Sequence, residues 1–115
     1  MTDLALTKRV FESIGAKMTE NRDYLIQLDA QNGDGDLGIS MDTGFRAVNA
    51  YLAESDETDL GQLFRRCAKE FNEASPSSLG TILSFIMTGV AKTLRGKTQA
   101  DLAEMALALM PAFRP

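Results

Sequence analysis

Three carboxylates crowd one short stretch of this chain. In LDAQNGDGDLGISM, residues 28–41, Asp29, Asp34 and Asp36 lie five and two residues apart, interleaved with Gly33, Gly35 and Gly38. If Asp29 closes a helix and the glycines fold the chain back, the three carboxylates can converge on one point. Converging carboxylates repel, and a divalent cation normally relieves that cost. A hard cation held this way keeps open positions that phosphate oxygens can fill. A helix starting at Gly38 or Ile39 would add free N–H groups and a positive dipole end beside it. An EF-hand is excluded by spacing, because its glycine and terminal glutamate fall on Asp34 and Ser40 counted from Asp29, or on Leu37 and Thr43 counted from Asn32. An ordinary turn is the competing reading, since Asn, Gly and Asp are common turn and capping residues. Spacing alone leaves both open.

Composition narrows the chemistry. The chain has no histidine and one cysteine, Cys67, among 115 residues. Histidine-assisted nucleophiles, imidazole metal sites and cysteine-rich zinc sites are therefore excluded, and any metal must be held by oxygen, which favours Mg²⁺, Mn²⁺ or Ca²⁺. A formal charge of −4 argues against nucleic-acid binding, which draws on a basic face. No apolar run reaches the ~20 residues needed to cross a bilayer. The lone cysteine and the scattered N-terminal charges lead us to expect a cytoplasmic protein.

The elements that must position the loop read as helices. Leu6, Val10, Phe11, Ile14 and Met18 form an apolar stripe that Leu25, Ile26 and Leu28 continue. Met41, Phe45, Val48 and Leu52 form a second, and Leu60, Leu63, Phe64, Cys67, Ala68 and Phe71 the cleanest amphipathic pattern. After the turn at ASPSS, residues 74–78, a segment apolar on all sides (Leu79, Ile82, Leu83, Phe85, Ile86, Met87, Val90) predicts a buried central helix. Thr98 with Asp101 suggests a capping box for a last helix carrying Leu102, Met105 and Leu109. RGKT, residues 95–98, lacks P-loop glycine spacing and reads as a basic helix end and turn. The expectation is all-α, with five or six helices. Arg65, Arg66 and Lys69 fall on a solvent face, Cys67 in the core, and Arg22 is expected to pair with Asp23 or solvent.

With its surroundings, LDAQNGDGDLGISMDTGF resembles the nucleotide-binding L subunit of dihydroxyacetone kinases. The shared pattern is Asp29-x4-Asp34-x-Asp36, then Gly38, Met41, Gly44 and Phe45. The second loop, EASPSSLGTILSF, is similar to that family's Ala-Ser-Gly loop, which runs into a Gly-Thr pair. The resemblance covers the whole chain but only the first half of the family domain. It implies an antiparallel helical bundle or barrel, about half of a DhaL-like eight-helix barrel, with Mg²⁺–ADP or Mg²⁺–ATP at one end. By resemblance Asp29, Asp34 and Asp36 are metal ligands. Leu37, Gly38, Ile39 and Ser40 lie along the phosphates and ribose, and Ala74 and Ser75 meet the nucleotide from the second loop. Ser77, Ser78 and nearby N–H groups could help hold phosphate.

In that family the substrate histidine belongs to a separate subunit or domain, so the resemblance implies as partners a substrate-binding, DhaK-like kinase subunit and a phosphotransferase-system phosphodonor subunit. No catalytic side chain is assigned here, and the chain would be inactive without its partner. Leu37 replaces the relatives' usual His or Thr, Pro76 stands where a glycine is expected, and the family's later nucleotide loops have no counterpart in these residues. A half-length barrel should expose an apolar seam, which motivates a homodimer. Two alternatives accompany the kinase reading: a shortened non-catalytic relative acting as a metal, nucleotide or protein-binding module, and a fatty-acid-kinase-like nucleotide domain.

Overall fold

The computed structural model describes residues 1–31 and 36–109. Six helices run through them: α1 Leu4–Glu20, α2 Arg22–Ala30, α3 Leu37–Glu54, α4 Leu60–Ala74, α5 Ser78–Thr93 and α6 Leu102–Leu109. No β-strand is present among the described residues; Thr2 and Ala100 make one isolated antiparallel bridge. The all-α expectation holds. No described helix is long and apolar enough to cross a membrane.

Short polar residues start most of these helices. Asp3 accepts the Leu6 N–H, Asp59 the Gln62 N–H and Ser77 the Gly80 N–H, satisfying donors that have no partner inside the helix. Asp59 also accepts the Gly96 N–H, so one carboxylate caps α4 and pins the turn after α5. Gly96 itself has φ +81, the left-handed conformation that glycine adopts without steric cost at a helix exit. The last helix is capped differently from the sequence expectation. Asp101 accepts the Glu104 N–H at 2.7 Å while Glu104 accepts the Asp101 N–H at 3.2 Å, so the capping box is Asp101–Glu104 rather than Thr98–Asp101. Lys97, which also bonds Glu104, anchors that pair.

Helix α3 is central, packed against α1, α2, α4 and α5. The pairs Phe11–Asn49, Thr19–Asp42, Arg22–Asp42 and Asp29–Leu37 run in opposite chain order, so α1 and α2 both lie antiparallel to α3. Val48 and Leu52 of α3 and Leu60, Leu63, Cys67 and Phe71 of α4 are almost fully buried. Phe45 meets Phe71 edge-on with ring centroids 5.1 Å apart, a favourable aromatic geometry. A Cβ on Gly44 would strike the Phe71 ring, so the absence of a side chain there sets the close approach of α3 and α4.

Two apolar patterns behave differently from their sequence reading. The stripe from α1 does not continue into α2: the chain breaks at Asn21, whose N–H and side-chain amide both return to the Lys17 carbonyl, and Leu6, Val10 and Leu28 face solvent. Helix α5 is not buried all round. Met87, Val90 and Ala91 enter the core, while Ile82 and Phe85 remain 56% and 69% exposed because α4 and α6, with a lesser contact to α3, cover only one side.

Candidate functional site

The aspartate-bearing segment and the second loop meet at one end of the bundle. Asp29 sits in the last turn of α2 and Asp36 at the N-cap position of α3. Asp29 reaches across and accepts the Leu37 N–H at 3.3 Å, so a carboxylate from α2 caps α3. Gly38 permits this. A Cβ there would collide with the Arg22 carbonyl and press on Ile26, both on α2.

From the other side, α4 ends at Ala74 and α5 begins at Ser78. Gly80 lets the intervening loop fold tightly over the first turn of α5, since a Cβ would collide with the Ser75 carbonyl. The Ser77 hydroxyl accepts the Gly80 N–H at 3.1 Å, leaving its own proton for donation.

Two adjoining clefts result. One, of about 330 Å³, is lined by Asp29, Asp36, Leu37, Ser40, Ser77 and Ser78 with Leu79. The other, of about 320 Å³, runs along Asp36, Ile39, Ser40, Thr43, Ala74, Ser75 and the following Pro76 and Ser77. They share Asp36, Ser40 and Ser77. The first turns of both α3 and α5 open here, bringing two positive helix ends to the same hollow. Among the described residues, neither cleft is lined by a lysine or arginine. Such a hollow suits an anion at its helix ends and repels one at its carboxylates. A divalent cation between carboxylate and phosphate reconciles the two demands.

Each sequence-derived site residue can now be located. Asp29, Asp36, Leu37, Ile39, Ser40, Ala74 and Ser75 line the joined clefts. Gly38 is buried against α2, and Asp34 lies outside the described residues. Among the described residues no three acidic or sulfur ligands cluster. Ser75 is 5% exposed and its Oγ has no hydrogen-bond partner among the described residues, an orphaned hydroxyl in the cleft wall that a ligand oxygen would satisfy. Oxygen donors, two helix N-termini and this hydroxyl form a donor set that fits a Mg²⁺–phosphate group. Thr43, three residues beyond Ser40 on the same face of α3, also lines the hollow; the helical repeat could have identified it.

A family model for the DAK2 domain matches residues 31–114. The chain belongs to the DAK2 domain family. Asp36 and the second loop fall inside that match, and Asp29 lies two residues before it. The chain is also 30% identical over 105 residues to the ADP-binding subunit DhaL of PEP-dependent dihydroxyacetone kinase 2 from Listeria innocua serovar 6a, covering 90% of this chain and 49% of that protein. It thus spans about half the length of that curated relative. No solved structure matches.

Behind this DAK2 site lies a polar cluster that the sequence reading did not find. Asp42 is 8% exposed and accepts from Thr19 Oγ1 at 2.5 Å and Arg46 Nε at 2.8 Å, with Arg22 Nε at 3.5 Å. The Thr19 hydrogen bond, helped by both arginines, outweighs burial and holds the Asp42 carboxyl below its ordinary value. Arg22 pairs with the exposed Asp23 as expected and, at the same 3.5 Å, also with Asp42 of α3. The cluster joins α1, α2 and α3 just inside the cleft. Only Arg46, at the i,i+4 position, was readable from spacing.

Proposed function

We propose that this chain is the Mg²⁺–nucleotide-binding part of a dihydroxyacetone-kinase-like ADP-binding subunit, forming one DAK2 unit over residues 1–115 and working in the cytoplasm. The observation that carries the reading is the shared hollow at the N-termini of α3 and α5, flanked by Asp29 and Asp36 and walled by the unpartnered Ser75 hydroxyl. Asp29, Asp34 and Asp36 would hold Mg²⁺. The N–H groups of Leu37, Gly38, Ile39 and Ser40 would meet phosphate, and Ala74 and Ser75 would close on the nucleotide from the second loop. When bound, the metal neutralises charge on the transferred phosphoryl group.

The chain's own residues orient and exclude. Ser75 and Ser77 donate hydrogen bonds, the two helix ends stabilise negative charge, and Leu37 and Ile39 limit water at the rim. Among the described residues, no lysine or arginine lines the hollow. By the family resemblance, the acceptor, a small hydroxyketone or related sugar, would be held by a DhaK-like partner subunit, with a phosphotransferase-system protein regenerating the bound nucleotide. Pro76, which removes an N–H from the second loop, favours one alternative: a non-catalytic relative that keeps only the fold.

Calorimetric titration with ADP, with and without Mg²⁺, separates the two. Mg²⁺-dependent binding is expected for the first reading, and its absence eliminates that reading for this chain.

A further inference from the structure

The far end of the α4–α5 pair carries a second, oppositely charged hollow. Gly61, Gln62 and Arg65 of α4 face Thr88, Ala91 and Lys92 of α5 and the following Arg95 around a notch of about 380 Å³. Its tightness has a simple cause. A Cβ on Gly61 would lie 2.5 Å from the Arg95 Cα and 2.8 Å from the Ala91 carbonyl, so only glycine lets the two helices close this far. Thr88 and Lys92 stand ten and fourteen residues beyond Ser78, which puts the notch roughly 20 Å from the aspartate cleft at 1.5 Å per helical residue. It is a separate site.

Its charge is not incidental to the surface around it. Among the described residues, Lys8 bonds the Ser55 carbonyl, and Lys17, Arg22, Arg46, Arg66, Lys69 and Lys97 pair with carboxylates. Arg9, Arg65, Lys92 and Arg95 make neither kind of contact. Three of those four line this one notch, in a chain whose formal charge is −4. Three unpaired cations over a polar floor leave like charges facing each other, a repulsion that a multivalent anion removes. Two guanidinium forks with an ammonium and the Gln62 side-chain amide match the oxygen-rich outline of a phosphate. The volume lies at the small end of the range for small-molecule pockets.

We propose that this notch is an anion site for a small phosphate-bearing molecule, independent of the aspartate cleft. Lys92 also complements the C-terminal end of the α5 dipole, but that role needs neither Arg65 nor Arg95.

The test uses inorganic pyrophosphate without metal, titrated into ¹⁵N-labelled protein at fixed ionic strength. Amide and arginine Nε shifts are expected around Gln62, Arg65, Lys92, Arg95 and Gly96. Affinity should fall about tenfold in each of Arg65→Gln and Arg95→Gln, the size of one lost charge-assisted contact. Mg²⁺–ADP titration should be unchanged in both variants, so failure at one site is distinguishable from failure at the other. Shifts confined to the aspartate cleft, unchanged affinity in both variants, or tighter binding of a glutamate oligomer than of pyrophosphate would each overturn the assignment.

Discussion

The carboxylate of Asp29 accepts the backbone N–H of Leu37 across the gap between α2 and α3. One side chain is thus both the cap of the helix that points into the cleft and a proposed metal ligand. Its two roles can be separated. Asp29→Asn keeps an acceptor for the Leu37 N–H and removes the charge, whereas Asp29→Ala removes both. Both variants should lose Mg²⁺-dependent ADP binding in calorimetry, and only Asp29→Ala should lose about 1 kcal/mol of stability in urea. Retained nucleotide binding in Asp29→Asn would remove Asp29 from the metal site.

Asp42 ties three helices together through Thr19, Arg22 and Arg46. Asp42→Asn should cost about 2 kcal/mol in chemical denaturation, because a buried group loses charge-assisted partners. The pH dependence follows from the lowered carboxyl value. The unfolded state binds the proton more tightly, so the stabilisation is complete above the ordinary aspartate value near 3.8 and fades as pH falls through the lower folded value. Urea midpoints measured from neutral pH downward should drop more steeply for the parent than for Asp42→Asn. Parallel curves would mean that other carboxylates carry the acid sensitivity.

Gly44 and Gly89 form an internal comparison. Gly44 faces the Phe71 ring, whereas a Cβ on Gly89 would meet nothing within 4 Å. Gly44→Ala should destabilise by about 1–3 kcal/mol through overpacking. Gly89→Ala, inside α5, should stabilise by about 0.5–1 kcal/mol through helix propensity. Thermal unfolding of the two variants reads the opposite signs directly.

Cys67 is fully buried, and burial, reinforced by Glu70, pushes its thiol up to about 12. At pH 8 it is therefore protonated and shielded. A thiol reagent should label native protein only as fast as the chain opens, and labelling should accelerate sharply in denaturant. Rapid labelling of the native state would place Cys67 outside the core.

Much of the fold was readable because helical repeats report a buried face directly. The stripes through Met41–Leu52 and Leu60–Phe71 became the core between α3 and α4. Helix α5 misled for a physical reason: an apolar sequence on all sides says what could be buried, not what lies opposite. Ile82 and Phe85 have no covering element among the described residues. The capping box shifted by three residues because Asp101 and Glu104 can satisfy each other's N–H groups, while Thr98 falls in the turn before them.

The candidate site followed a similar division. Motif spacing located both loops, but their meeting depends on Gly38 and Gly80 allowing contacts that no local pattern encodes. The Asp42 cluster escaped because Thr19 and Arg22 are remote from it in sequence.

The bridge between Thr2 and Ala100, two backbone hydrogen bonds of 2.7 and 2.8 Å, joins positions separated by nearly the whole described chain. Closing so large a ring has an entropic cost that grows only slowly with length but must be met before either bond forms. Helical hairpins such as α4–α5 carry no comparable delay. This clasp is therefore expected to form late in folding and to open early. A few residues at the amino end hold the approach to α6 in place, so trimming them should loosen the opposite end of the sequence first.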